Sequence, residues 1–585
     1  MLPMLSIQGF WVSFPSSIPY LSTKDVTFVA FHIMIVQTTT DFVLSHLTES
    51  FLSCLILYTV YSTIWNYRKP KVVHLATGET PAVIGLPKTY PWLFPKLRSR
   101  LASFNNIYAW MDEGYARYSK HGKPFMIYAI DGDMVVMPPS VLSEIKNLPA
   151  SIMDIRALET LAVRYTFDNY VATDMFHIPI IRKDLTAKLA SMTPAVVEEL
   201  DLSFKHYIPK LATKPDEKGW QTVTMYDLIL KVVARTSHRV FIGEELCREE
   251  EYLDASIDYA VGVFPTSMAL NCFPKFLWPL LGPIFSIPLN RIRRRARKHL
   301  EPVILKRIAL IKQGVPESER PNDLMQWLIE ASLTRGGGFA TVDAIAARVL
   351  TVAFAAIHTT SLSGCNTLYD LSWLASKTQP GEQTPSEMLR DEIMHVFPPP
   401  HEFNKRYMQR LYNMDAFLKE SVRLSLIGAI HSERNVTVKG GYTTSNGWYL
   451  PKGTQFTFPA KARMEDEEVY ERPKEHLYTR FYRGDIVEGG NTFEEQEEVT
   501  PQNEKERKLD RYMVTVTEDY LAFGQGIHAC PGRFFAALEL RTLISWWLLH
   551  YDLKSMEERP PSWRFVWLDI MNTEAKMQIR ARKQG

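Results

Sequence analysis

Residues 523–535, FGQGIHACPGRFF, set three glycines, a cysteine and a proline at the mouth of an apolar helical run that continues as AALELRTLISWWLLHYDL. Proline at a first helical position gives up an N–H that would have no partner there, so Pro531 makes Cys530 the expected N-cap. The free amides and dipole of a helix start favour an anion, which predicts a lowered thiol pKa and a thiolate, the form that ligates metal. Gly524, Gly526 and Gly532 permit backbone conformations and close approaches that a side chain would block, as a loop pressed against a flat cofactor requires. His528, two residues before the cysteine, can reach a carboxylate. A lone cysteine at a helix start is more commonly a buried, inert side chain, and this loop alone leaves that alternative open.

The rest of the chain narrows the choice. It has 585 residues, 46% hydrophobic and 12% aromatic, enough for one large domain or several ordinary ones. A formal net charge of +2 argues against a nucleic-acid binder. Cys54, Cys247, Cys272, Cys365 and Cys530 are odd in number, scattered and without a C-x-x-C pair. Neither a disulfide framework nor a structural zinc site is indicated, and the bulk of the chain is expected in a reducing compartment.

Residues 50–67, SFLSCLILYTVYSTIWNY, are 18 uncharged positions. About 17 to 25 mostly apolar residues span a bilayer, so a transmembrane anchor is expected here, with a buried core helix as the alternative. The basic run Arg68-Lys69-Pro70-Lys71 predicts a cytosolic location for the chain beyond it, with 1–49 an N-terminal extension on the lumenal side. Residues 68–89 read as a basic, proline-bearing linker and 90–585, without repeats, as one catalytic domain. In it, Thr341 to Ser376 predicts one long, largely buried helix. Strand patterns are confined to short pieces, such as Phe125 to Val136 and the stretch around Val436 to Phe458. Residues 484–510 are charged and poor in large apolar groups, as in a solvated insertion.

The cysteine loop resembles the haem-binding segment of the cytochrome P-450 family, F-x-x-G-x-[RH]-x-C-x-G, at Phe523, Gly526, His528, Cys530 and Gly532. So many fixed positions in so short a run set the inert-cysteine alternative aside. The resemblance implies a mainly α fold with small β-sheets, the triangular helical prism of that family, here with an N-terminal transmembrane helix. It implies haem b (iron-protoporphyrin IX) with Cys530 as axial metal ligand and His528 at a haem propionate. Ala355-Ala356-Ile357-His358-Thr359-Thr360 resembles the family's [AG]-G-x-[DE]-T-[TS], with Ala356 for the glycine and His358 for the acid. Read alone, Thr359 would simply bond the Ala355 carbonyl one turn back. The resemblance gives Thr359 a part in oxygen activation and leaves His358 as a candidate proton carrier.

Glu420 and Arg423 match the family's E-x-x-R, and Tyr478-Thr479-Arg480-Phe481 resembles its P-x-R-F with tyrosine for proline. The trio Glu420, Arg423 and Arg480 is expected to form a buried structural network. The same spacing at Glu245/Arg248, Glu317/Arg320, Glu387/Arg390 and Glu504/Arg507 reads as exposed helix pairs. Arg434 resembles a propionate-binding arginine. Arg182 sits where the family has W-x-x-x-R, with Ile178 for the tryptophan and His177 beside it, so either basic residue is a propionate candidate.

The implied activity is a monooxygenase acting on a hydrophobic small molecule. Similarity of FGQGIHACPGRFFA and AAIHTT to fungal ent-kaurene oxidase and indole-diterpene oxygenases points to a terpenoid in secondary metabolism. Desaturation or rearrangement without net oxygen insertion is a second outcome, and a non-catalytic haem or ligand-binding membrane protein a third. No nucleotide-binding loop is fused to the chain, so electrons from NADPH are expected through a separate cytochrome P-450 reductase at the endoplasmic reticulum membrane, with cytochrome b5 as an optional donor. Nucleic acid is not an expected partner.

Overall fold

The hydroxyl of Thr341 accepts a hydrogen bond from the Ala344 amide at 3.3 Å and opens a helix, Val342–Ala375, that runs 34 residues. The computed structural model describes residues 71–86, 94–155, 162–273, 275–397, 405–481 and 512–582. At 1.5 Å per residue this helix is about 50 Å long, and it contains no proline to interrupt its ladder. The longer helices in chain order are α1 Pro95–Arg117, α2 Thr186–Leu211, α3 Met225–Phe241, α4 Glu250–Asn271, α5 Ile287–Lys312, α6 Val342–Ala375, α7 Pro385–Val396, α8 Tyr412–Leu424 and α9 Arg533–His550. α6 packs against α3, α4, α5, α7, α8 and α9. Length and hydropathy alone would let α6 cross a membrane, but its burial among these neighbours makes it the centre of the fold.

The strands are short: β1 Val73–His74, β2 Ala82–Ile84, β3 Phe125–Ala129, β4 Gly132–Val136, β5 Met153–Ile155, β6 Trp220–Thr224, β7 His431–Val436, β8 Tyr442–Thr443, β9 Trp448–Leu450, β10 Gln455–Phe458, β11 Tyr551–Leu553, β12 Trp563–Phe565, β13 Leu568–Ile570 and β14 Lys576–Ala581. The largest sheet has the order β2-β3-β4-β10-β7-β5. Alternation sets its inner face, with Phe125, Ile127 and Ala129 of β3 buried and Met126 and Tyr128 half-buried between them. β10 runs parallel to β4 and antiparallel to β7, so Phe456 lies opposite both Val135 and Arg434. Arg434 thus sits inside β7, near enough to the cysteine loop to act electrostatically on His528.

Residues 72–86, read from sequence as linker, are part of the unit Val72–Gly585: β1 pairs with β9 and β2 runs parallel to β3. Strands of two and three residues are too short to leave a periodic pattern, and long-range partners define them. The extension 1–49, the anchor 50–67 and the insertion 484–510 lie outside the described residues.

Candidate active site

The cysteine loop is folded by its own backbone. The Cys530 amide donates to the Phe523 carbonyl at 2.7 Å, Ala529 to Gly526 at 3.1 Å, and Ile527 reaches out to the Lys146 carbonyl at 3.1 Å. Gly526 has φ 62°, and a Cβ there would lie 2.0 Å from the Lys146 oxygen, so glycine is required both by conformation and by space. Gly524, at φ 69°, would put a Cβ 2.9 Å from the His431 ring. Phe523 is half-buried and packs against the two largest hydrophobic clusters of the domain, fixing the start of the loop.

Cys530 is not the N-cap that the sequence predicts. α9 begins at Arg533 with Gly532 as N-cap, because Gly532 sits at φ −89°, ψ 1°, outside helical geometry, and Pro531 disfavours a helical Cys530. The amides of Gly532 and Arg533 nevertheless donate to the thiol. Burial pushes the Cys530 thiol above its ordinary pKa, while these two amides and the Arg533 guanidinium pull it down without reversing the shift. The helix start alone does not make a thiolate, so a stable sulfur anion here needs a further positive partner.

Basic side chains converge around the loop. The Arg182 guanidinium, exposed, donates to the Ile527 carbonyl at 2.7 Å and so clasps the loop backbone. Arg434 is buried, donates to the Glu433 carbonyl at 2.8 Å, and has no carboxylate ion-paired with it among the described residues. Burial lowers its pKa to about 10. His528 is held down to about 4, first by burial and then by Arg434, with Asp154 opposing and Arg182 adding to the effect. Its Nε2 is buried without a partner among the described residues. His177, the other propionate candidate, is spoken for: its Nδ1 faces Arg348 at 3.2 Å, inside the clamp by which Arg348 donates to the Asp174 and Tyr170 carbonyls.

Two observations test whether this set suits an iron porphyrin carrying carboxylates. A buried guanidinium and an orphaned buried imidazole nitrogen call for anionic oxygen. A Cβ at Gly532 would meet nothing within 4 Å, so the loop beside the thiol is open to close approach. The residues fit that group.

On α6 the expected hexapeptide marks a change in burial. Ala344 to Ala353 is buried, whereas Ala355 and Thr359, one turn apart, are exposed in mid-helix. The Thr359 hydroxyl donates to the Ala355 carbonyl at 2.8 Å, which leaves its lone pairs free to accept. Next to this stripe, Phe354 packs edge-on against Phe167 at 5.3 Å and in a tilted arrangement against Phe264 at 5.4 Å, forming an aromatic wall. His358 meets the Tyr226 hydroxyl of α3 through Nδ1 at 2.9 Å, a partner 132 residues away that no sequence spacing could indicate.

Glu420, Arg423 and Arg480 form one ion cluster. Arg423 donates to both Glu420 oxygens at 2.7 and 2.9 Å, and Arg480 Nε reaches the same carboxylate at 3.1 Å. Both α8 members are 0% exposed. The look-alike spacings do not pair internally: Arg248 turns to Glu199 and Glu244, Arg320 to Glu330, and Arg390 to Asp552. Arg248 is thus not an exposed helix pair but part of a cluster with buried Glu199 and Arg235. Glu504 and Arg507 lie outside the described residues.

The profile of the cytochrome P450 family matches residues 155–581, which takes in the thiol loop, α6 and the ion cluster. The chain belongs to the cytochrome P450 family. It is 31% identical to cytochrome P450 monooxygenase penP of Penicillium crustosum over 88% of this chain and 92% of the relative. Cytochrome P450 monooxygenase 110 of Postia placenta is 30% identical over 90% of this chain and 97% of its own. Cytochrome P450 monooxygenase paxP of Penicillium paxilli is 29% identical over 86% and 90%. Membership makes the protein a monooxygenase with haem iron as its cofactor.

Proposed function

We propose that this P450 inserts oxygen into a hydrophobic small molecule of terpenoid type in fungal secondary metabolism, drawing NADPH electrons from a membrane-bound reductase. The observation that carries the reading is one loop in which the Cys530 thiol accepts two amides while Arg182, Arg434, His528 and Arg533 gather around it. Cys530 would hold the iron through sulfur, and Arg434, His528 and Arg182 the propionates. When bound, haem with a thiolate ligand supplies the activation of dioxygen and the oxidation of an unactivated C–H bond. The protein supplies placement and dryness. Thr359 gives its hydroxyl proton to the Ala355 carbonyl and so presents the Oγ1 lone pairs, on the open stripe of α6, as a hydrogen-bond acceptor. Phe354, Phe167 and Phe264 exclude water and favour an apolar substrate.

The anchor 50–67 places the domain on the cytosolic face of the endoplasmic reticulum. Exposed Phe273, Phe276, Leu280, Ile284 and Ile287 offer an apolar face on which it rests. The basic run from Arg291 has less to give a lipid surface than its charge suggests. Arg293 is bonded to the Phe167 carbonyl, Arg295 pairs with Asp258, and Arg297 with Asp343 and Glu301.

Disruption of the encoding locus should accumulate an apolar precursor. Membranes carrying the protein and an NADPH reductase should then convert that precursor with uptake of label from ¹⁸O₂. Conversion without label would move the reading to desaturation or rearrangement, and no NADPH-dependent conversion would end it. Thr359→Ala should leave NADPH consumption in place while lowering product per NADPH by about tenfold, the scale of one lost hydrogen bond to a charged group. Its stability should change by less than about 1 kcal/mol, because the hydroxyl bonds only its own helix.

A further inference from the structure

The hydrogen bond between α3 and α6 contains a choice of proton position. Tyr226 Oη and His358 Nδ1 lie 2.9 Å apart, and His358 Nε2 is buried with no partner among the described residues. If the phenol donates, its proton and the Nδ1 lone pair are both satisfied, and one group, Nε2–H, is left over. If Nδ1–H donates to the phenol oxygen, two are left over: the phenol proton, for which the described residues show no other acceptor, and the bare Nε2. Each unsatisfied buried polar group is costly, so the first arrangement is favoured.

We propose that Tyr226 is a positioning residue that confines the proton of a neutral His358 to Nε2, making that nitrogen a hydrogen-bond donor of fixed direction, one residue before Thr359. Burial holds the His358 pKa down to about 4 and holds Tyr226 well above its ordinary range, with Cys365 and Asp227 acting on the phenol in the same direction. Near neutral pH neither member of the pair ionises readily. The functional consequence, which rests on the monooxygenase reading, is that residue 358 offers a fixed N–H where the family motif carries an ionisable acid.

The test is ¹⁵N NMR of the histidine-labelled full chain in detergent, in its diamagnetic ferrous carbonyl form, with the ring of residue 358 assigned by its loss in His358→Gln. The expected wild-type ring has a pyrrole-like Nε2 and a pyridine-like Nδ1. In Tyr226→Phe, which removes only the hydroxyl, the tautomer ratio should move about fivefold towards Nδ1–H, the worth of one hydrogen bond. A wild-type proton on Nδ1, or a Tyr226→Phe ratio unchanged from wild type, overturns the proposal. The wild-type spectrum decides the proton position even if the variant folds poorly. No turnover enters the readout, so failure here is separable from failure of the monooxygenase assignment.

Discussion

Cys530→Ser should fold, and should lose both the ferrous carbonyl band typical of thiolate ligation and all measurable monooxygenase turnover. The fold should survive because the loop is held by backbone bonds: Cys530 to Phe523, Ala529 to Gly526 and Ile527 to Lys146. A serine hydroxyl can still accept from the Gly532 and Arg533 amides that the thiol now takes, so stability without haem should change by no more than about 1 kcal/mol. Chemistry should not survive, because an alcohol does not furnish the electron-rich sulfur anion on which iron of this class depends. Burial raises the Cys530 pKa even with those amides in place, so on the proposed reading the iron would be the partner that keeps the sulfur ionised. Spectra of the reduced, carbonyl-bound variant beside wild type, with a denaturation curve for each, check both halves. A retained thiolate-type band would remove the assignment of Cys530 as ligand.

How much of the fold and site is legible in the sequence depends on the range of the interactions. The long helix can be read because its cap, Thr341, and its apolar run are local, and the end at Ala375 is within a residue or two of the expected one. Phe125 to Val136 can be read because β3 and β4 are neighbours joined by a tight turn. The start of α9 lies two residues beyond the expected one because Pro531 is equally at home in the turn that precedes the helix, and only the dihedral angles of Gly532 decide between them. β1 and β2 leave no pattern, since their partners lie far along the chain or in a strand they do not resemble. Spacing identifies Glu420 and Arg423 only with the help of a family motif. The same spacing misdescribes Arg248, whose partner Glu199 is 49 residues away on α2. Tyr226 has no local mark at all: it stands at the start of an ordinary amphipathic helix, and its meaning comes from the residue that folding sets opposite.

Arg423→Leu should destabilise the protein by about 3 to 5 kcal/mol, the cost of stranding a buried charge whose partner has been removed. The geometry puts this position at the top of that range. Glu420 would lose two of its bonds, and the Met464 carbonyl would lose the Arg423 Nη1 donor now 2.6 Å away. Arg480→Leu should cost less, since that side chain gives the carboxylate one bond and the Leu477 amide supports the same oxygen at 3.1 Å. Replacing both members, Glu420→Leu with Arg423→Leu, should recover part of the loss, because an apolar pair leaves no unpaired charge. Denaturant midpoints of the full chain in detergent measure these differences. Haem content separates a structural role from a catalytic one. Arg423→Leu should lower the fraction of protein that holds haem, yet whatever holoprotein remains should keep the thiolate-type carbonyl band that Cys530→Ser loses. A spectral change of the Cys530→Ser kind in Arg423→Leu, with stability untouched, would mean that the cluster acts on the iron and not on the fold. Its distribution of bonds speaks for the fold: beyond the Arg423–Glu420 pair inside α8, the contacts join α8 to Met464, Leu477 and Arg480, and none of them reaches the thiol loop.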